Sequence, residues 1–80
     1  MARKPSKLRL ARDALGKHVR VYRAKQNISQ IAFAVDAGLT QATVSAIELG
    51  HANPRLTTLA GLAEVLNVDV SELFVDPDRG

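Results

Sequence analysis

Hydrophobic residues recur along the first third of the chain every three or four positions, which is the spacing of one face of an α-helix. The series consists of Leu8, Ala11, Leu15, Val19 and Tyr22. Ser6 precedes it as an N-cap, and Asn27 follows it as a residue type that tolerates the left-handed conformation in which helices end. The pattern predicts one long helix between these two caps.

Two short helices are predicted next, because each apolar stretch is bracketed by a capping residue and a glycine. Ser29 is placed to cap the first of them and Thr40 the second, and glycine readily adopts the left-handed conformation after each. The predicted helices cover residues 30–36, ending at Gly38, and residues 41–49, ending at Gly50. A turn around the first glycine joins them.

Two further helices complete the predicted fold. An Asn-Pro pair marks residues 51–55 as a loop, after which leucines at helical spacing predict a fourth helix that ends at Asn67. Asp69 and Glu72 have the spacing of a capping box, which opens a short fifth helix, and Pro77 ends it. No alternating pattern of a β-strand competes. We therefore expect an all-α fold of five helices with an extended first helix.

The chain has 80 residues, enough for one domain. We divide it into a flexible basic arm over residues 1–6, a domain over residues 7–75 and a C-terminal tail over residues 76–80. Residues 1–26 contain nine Lys and Arg and one acidic residue, a net charge of +8. Residues 27–80 contain two Arg and seven acidic residues, a net charge of −5. This asymmetry favours a polyanion partner for the first third, and the alternative is a solvated basic helix beside an acidic C-terminus.

Several classes of protein find no support in these residues. Cysteine is absent, which excludes disulfide scaffolds and thiolate metal sites. The two histidines, His18 and His51, belong to no catalytic or metal-binding motif, and we expect both to be solvated. The longest apolar run, residues 31–35, is too short to span a membrane. We expect a cytoplasmic protein that is not an enzyme and has no cofactor, no metal site and no membrane segment.

Two short helices joined by a glycine-containing turn form a helix-turn-helix, here over residues 30–49, whose second helix enters the major groove of DNA. A set of marks accompanies it: Ser29-Gln30, Ala34, Ala37-Gly38-Leu39, Val44-Ser45, Ile47-Glu48, Gly50, Asn53-Pro54, Thr58-Leu59, Leu62-Ala63 and Leu73-Phe74. Through these marks, the sequence from about Leu15 to Phe74 resembles the Xre/Cro-type, lambda-repressor-like DNA-binding domain. The resemblance implies a five-helix domain that is usually dimeric on DNA and commonly acts as a transcriptional regulator.

The third predicted helix has two different faces at 100° per residue. Its inner side carries Val44, Ile47 and Glu48, and its outer side Ala42, Ser45, Ala46 and Leu49, with Gln41 at the exposed start. Small side chains let a helix approach base edges closely, alanine contacts the thymine methyl group, and a glutamine amide matches adenine. We therefore predict base contacts from Gln41, Ala42, Ser45 and Ala46. The alternative is an ordinary solvent-exposed face.

The outer side of this helix carries no charge, so attraction to phosphate has to come from elsewhere. The family often has a polar or basic residue where this chain has Ala46, Leu49 and His51. Helix N-termini, the loop after the third helix and the basic arm are the remaining sources. We predict contacts with the DNA backbone from Gln30, Thr40, Thr43, Asn53, Arg55, Arg3 and Lys4. For the arm, the alternative is a solubilising terminus.

Two further pairs of residues stand out. Arg23 and Glu48 occupy positions at which an Arg–Glu pair recurs in the family, and we expect a partly buried ion pair that fixes the third helix against the first. The alternative is two unlinked surface charges.

Ile31 and Val35 stand where the family generally has polar residues. We expect them in the core or under the start of the first helix, and the alternative is a surface for a partner or for self-association.

We conclude from the sequence that the protein binds double-stranded DNA sequence-specifically, as a repressor-like transcriptional regulator that works as a homodimer on a two-fold site. Half-sites then lie about one helical turn, roughly 34 Å, apart. The second hypothesis is a protein-interaction module, such as an antitoxin or accessory subunit, that holds its partner through Ile31 and Val35. RNA binding ranks third, because aromatic residues that stack on bases are few.

Overall fold

The computed structural model describes residues 6–79, and this part of the chain is all-helical, with no strand. The α-helices are α1 (Lys7–Gln26), α2 (Gln30–Ala37), α3 (Gln41–Glu48) and α4 (Leu56–Leu66), and two 3-10 segments follow at Val70–Phe74 and Pro77–Arg79. Helices α2 and α3 are joined by a three-residue turn and form the helix-turn-helix. The predicted arm residues Arg3 and Lys4 lie outside the described residues.

The predicted ends of α1 are confirmed. The Ser6 hydroxyl accepts a hydrogen bond from the Arg9 N–H at 3.0 Å, which satisfies one of the free amides of the first turn. Asn27 adopts the left-handed conformation, with φ 54°, and the Ile28 N–H donates to the Arg23 carbonyl. The chain is thereby turned back over α1 towards α2.

The predicted caps of α2 and α3 are also confirmed. Ser29 accepts from the Ala32 N–H at 3.0 Å, and Gly38 ends α2 with φ 68°. Thr40 accepts from the Thr43 N–H at 3.1 Å. Helix α2 is one residue longer than predicted and α3 is one residue shorter, because hydrogen bonding rather than residue type decides where the last turn closes.

The fifth predicted helix is present, but its first segment is a 3-10 helix of five residues. Asp69 and Glu72 form the predicted capping box, and this segment buries Leu73 in the core. Five residues leave little room for the i to i+4 bonds of an α-helix, and short 3-10 turns are common at such connections. Pro77 opens the second 3-10 segment rather than ending the first, since proline is well suited to the start of a helical turn.

The core lies between α1, α3, α4 and the first 3-10 segment, with α2 packed against α3 and α4. Its largest fully buried side chains are Phe33, Ile47, Leu62, Leu73, Val19 and Val44. The ring of Phe33 packs edge-on against that of Tyr22, with the ring centroids 5.8 Å apart. Because every α-helix contributes a buried residue, the core fixes the position of α3 relative to α1.

Ile31 and Val35 lie at the surface, which corrects the prediction that they lie in the core or under the start of the first helix. Ile31 is 58% exposed and Val35 is 74% exposed. Phe33 and Ala34 occupy the buried side of α2, with Ala37 beside them. At 100° per residue, the two β-branched side chains then point away from that side.

The segment after Phe74 is attached to α1. The Lys17 ammonium lies 3.0 Å from an Asp76 carboxylate oxygen and 2.8 Å from one of Asp78. His18, predicted to be solvated, is half-buried, and its Nε2–H donates to the Val75 carbonyl at 2.7 Å. The boundary between domain and tail at residue 76 stays a prediction.

Two kinds of feature are absent between residues 6 and 79. None of the helices is long and apolar enough to cross a membrane. No group of three or more His, Asp or Glu side chains lies close enough together to hold a metal ion.

Candidate nucleic-acid interface

Helix α3 divides into the two faces expected from its sequence. Val44, Ile47 and Glu48 are buried. Gln41 and Ala42 are exposed, Ser45 and Ala46 are half-buried, and Leu49 just after the helix is 66% exposed. The outward surface of α3 is therefore uncharged and is made largely of small side chains.

A shallow groove runs between this outward surface and the loop over residues 51–55. Its α3 side is formed by Ala42, Thr43 and Ala46, and its other side by Ala52, Asn53, Pro54, Arg55 and Thr58. Five of the residues predicted to touch DNA thus line one depression, although 13 positions separate the first from the last. Arg55 supplies the positive charge at the edge of a groove that is otherwise neutral.

The N-terminus of α3 lies beside this groove. The Thr40 hydroxyl accepts from the Thr43 N–H, and the two threonine hydroxyls are 2.9 Å apart. The N–H groups of Gln41 and Ala42 precede the first intrahelical bonds and have no partner within the helix. Together with the positive end of the helix dipole, these amides form a favourable position for an anion.

Behind the groove, Arg23 and Glu48 form a two-pronged ion pair. The distances are 2.5 Å from Arg23 Nε to Glu48 Oε2 and 2.9 Å from Nη2 to Oε1. Gln30 Nε2 also donates to Glu48 Oε1, at 3.1 Å, and Arg23 Nη1 donates to the Ile28 carbonyl. Gln30 is thereby linked to the buried carboxylate, and its predicted contact with the DNA backbone stays a prediction.

Residues of α1 that sequence analysis did not single out hold the C-terminal end of α3. Arg20 Nη1 donates to the Glu48 carbonyl, one of the groups that a helix end leaves without an intrahelical partner. A Cβ atom on Gly16 would lie 2.6 Å from the Ile47 carbonyl oxygen, so α1 and α3 meet backbone to backbone there. An isolated glycine inside a long helix was the available signal, since such a glycine usually has a packing reason.

Most cations of α1 are used inside the domain. Arg12 donates to the Ala52 carbonyl, Arg20 to the Glu48 carbonyl and Arg23 to the Glu48 carboxylate, while Lys17 pairs with the C-terminal carboxylates. Arg9 lies 3.9 Å from Asp13 in an exposed pair. Much of the positive charge in the first third therefore stabilises the domain, so charge asymmetry alone does not establish a polyanion partner.

The environment of Glu48 makes stability depend on pH. Burial raises the pKa of Glu48, but hydrogen bonds from Arg23 and Gln30 and the charges of Arg23 and Arg20 outweigh burial and lower the pKa below its ordinary value of 4.5. A lowered pKa in the folded state contributes stability above the unfolded pKa, and this contribution is lost as pH falls through the folded value.

We expect Glu48→Gln to flatten the acid limb of the stability curve. The free energy of unfolding is measured by urea titration at steps between about pH 6 and 3. It then falls less steeply with falling pH than in the wild type, because one carboxylate with a lowered pKa has been removed. An unchanged slope below pH 4.5 would show that Glu48 does not supply this dependence.

Comparisons with known proteins agree with the helix-turn-helix fold. A family model described as "Helix-turn-helix" matches residues 19–73. The chain is 35% identical over 66 residues to the HTH-type transcriptional regulator PuuR of Escherichia coli K12, a match that covers 82% of this chain and 36% of PuuR. It is 34% identical over 61 residues to the HTH-type transcriptional regulator SlrR of Bacillus subtilis 168, covering 75% and 40%. The chain thus spans well under half the length of these relatives.

Solved structures share the fold. The chain matches the hypothetical transcription factor NHTF from Neisseria with a TM-score of 0.77 and 29% identity, over 99% of this chain and 90% of that one. The clp gene regulator ClgR from C. glutamicum matches with a TM-score of 0.68 and 22% identity, over 91% and 90%, a likeness that shows the fold alone. Both curated relatives are transcriptional regulators. The chain belongs to the Xre/Cro-type helix-turn-helix family of DNA-binding domains.

Proposed function

We propose that this domain binds double-stranded DNA sequence-specifically, as a repressor-like transcriptional regulator, by laying the outer surface of α3 in the major groove. The observation that carries the proposal is the uncharged, small-residue surface of α3, which continues into the groove that ends at Arg55. Helix α3 has 8 residues. An α-helix with its side chains is about 10–12 Å in diameter, which fits the roughly 12 Å width of the major groove.

Base recognition falls to four residues on this surface. The Gln41 amide donates to and accepts from adenine, and Ser45 bonds to an available base edge. Ala42 and Ala46 contact thymine methyl groups and allow the backbone of α3 to come close. Their exposure, or partial exposure beside an open groove, supports these roles.

Contacts with the DNA backbone flank the base-reading surface. Thr40 and Thr43 lie at the N-terminus of α3, and Asn53 and Arg55 lie across the groove. Gln30, Arg3 and Lys4 complete the proposed set. Arg55 is the one cation that lines this groove in the described part of the chain. The slope of log binding constant against log salt concentration changes by about 0.9 for each phosphate that is neutralised, so the groove itself contributes little to this slope.

The working unit that we propose is a lambda-repressor-like homodimer in the cytoplasm, with the first 3-10 segment standing in for the fifth helix. The two copies place their α3 helices in two successive major grooves, on one face of the duplex. The half-sites are then about one helical turn, roughly 34 Å, apart.

Selection of bound sequences from random duplex DNA tests the proposal. We expect a two-fold symmetric site, and Gln41→Ala weakens binding to it by at least about 30-fold, since each copy loses a base contact worth about 1–3 kcal/mol. Binding to unrelated DNA changes little. Gln26→Ala makes the same exchange at an exposed position near the end of α1 and serves as the control. Equal effects of the two substitutions would remove Gln41 from the base-reading set.

The exposure of Ile31 and Val35 favours a second candidate function, a protein-interaction module such as an antitoxin or accessory subunit. The two functions separate in one comparison. If the protein binds no duplex at low ionic strength but forms a tight protein complex that Ile31→Lys abolishes, it is an interaction module.

A further inference from the structure

We infer that Arg12, on α1, is a positioning residue that presents the loop over residues 51–55 to the DNA backbone. The inference rests on the proposed function, because it concerns how Asn53 and Arg55 reach phosphate. Arg12 Nε donates to the Ala52 carbonyl at 3.0 Å, across 40 positions of sequence.

The loop has few hydrogen bonds of its own. On its N-terminal side the His51 N–H donates to the Ala46 carbonyl at 2.9 Å, and the next backbone bond is from the Leu59 N–H to the Arg55 carbonyl. Pro54 has no N–H to donate. Within residues 6–79, the hydrogen bond from Arg12 is the one that links residues 52–54 to another part of the domain, beside the packing of Ala52 against the core.

The Arg12 side chain lies among apolar residues. It is half-buried and lines a small pocket with Leu8, Leu15, Leu59 and Phe74, which the loop residues close from one side. Arginine commonly packs its stem along apolar surface in this way. The Nε–H is therefore fixed close to the loop, and the position of the loop follows from the position of α1.

The loop has two sides with different neighbours. Ala52, Asn53 and Pro54 line both the pocket that contains Arg12 and the groove beside α3. A shift on the Arg12 side therefore moves the groove side as well. Losing this bond displaces Arg55 without removing any charge from the groove.

The test compares the DNA affinity of Arg12→Lys, Arg12→Met, Arg55→Ala and the double variant Arg12→Met/Arg55→Ala as salt is varied. Lysine keeps the charge but has no N–H at the Nε position, so we expect Arg12→Lys to be as weak as Arg12→Met. Each loses roughly 25- to 100-fold at about 0.1 M salt, the loss expected when each copy of the dimer loses one phosphate contact. In the double variant, the second substitution adds less than about twofold, because both act through the same contact.

Controls separate positioning from charge and from stability. Lys25→Met removes one charge from an exposed site on α1 and is expected to change affinity by less than about twofold. Unfolding is measured for every variant, and binding is compared where all are folded. Since Arg12→Met removes more of the side chain, Arg12→Lys carries the test if the former does not fold.

Three outcomes would overturn the inference. Full affinity in Arg12→Lys would mean that charge, not the Nε bond, matters. If the loss of affinity in the double variant equals the product of the losses in the two single variants, Arg12 does not act through Arg55. An Arg55→Ala variant with unchanged affinity and salt slope would remove the proposed backbone contact itself, a failure that is visible without any Arg12 variant.

Discussion

Replacing Arg23 by Met is expected to lower the free energy of unfolding by about 3–5 kcal/mol, the range for a buried carboxylate that loses its partner. Glu48 is only 7% exposed, and Arg23 gives it two hydrogen bonds. In the variant, the Gln30 amide and the nearby Arg20 are the remaining described groups that stabilise the charge. Urea titration at pH 7, followed by circular dichroism, measures the loss.

Arg9→Met is the matched control, because it makes the same exchange on the same helix at an exposed ion pair. The Arg9 and Asp13 side chains are 73% and 61% exposed, and their charged groups are 3.9 Å apart. Exposed pairs contribute at most about 1 kcal/mol. Similar losses in the two variants would show that burial adds nothing at Arg23. A small loss in both would mean that the pair with Glu48 is solvated in solution.

Gly16→Ala is expected to destabilise the domain by about 2 kcal/mol, although alanine favours helix by about 1 kcal/mol over glycine. The added methyl carbon would lie 2.6 Å from the Ile47 carbonyl oxygen and 3.0 Å from that of Glu48. Both obstacles are backbone atoms, so α1 and α3 have to move apart. Thermal and urea unfolding of the variant measure the net effect.

Gly61→Ala tests the same exchange without the obstacle. Gly61 lies in α4, and the nearest atom to an added Cβ is the Ala37 carbonyl oxygen at 3.9 Å, an ordinary contact. We expect this variant to gain about 0.5–1 kcal/mol from helix propensity. If Gly16→Ala gains as much as Gly61→Ala, the close approach of α1 and α3 is not a constraint on the fold.

Local signals predicted the ends of the helices well. Ser6, Ser29 and Thr40 all cap helices as expected, and Asn27 and Asn67 both take the left-handed conformation with φ 54° and 57°. Caps can be predicted because each depends on a bond or a backbone angle within a few residues. The change from α- to 3-10 geometry after Asp69 was not predicted, since it depends on how Leu73 reaches the core.

The resemblance implied the ion pair between Arg23 and Glu48, which the structure confirms, but hydrogen bonds from side chains to distant backbone carbonyls were not predicted. Arg12 and Arg20 donate to backbone carbonyls 40 and 28 positions away, and a carbonyl acceptor leaves no trace in residue identity. In the same way, the exposure of Ile31 and Val35 follows from which side of α2 the core selects. Ala42, Asn53 and Arg55 line one groove, because the helix-turn-helix pattern places α3 and the loop together. Their contacts with DNA stay predictions.

Gln41 and Ala42 stand at the exposed start of α3, and the Gln41 side chain hydrogen-bonds to no described residue. The contacts that secure α3 come instead from Thr40, Glu48 and the arginines of α1. Exchanges at these two surface positions are therefore expected to alter folding energy by less than about 0.5 kcal/mol. Selection, natural or experimental, can retarget such a domain to new operators without first accumulating compensatory mutations elsewhere.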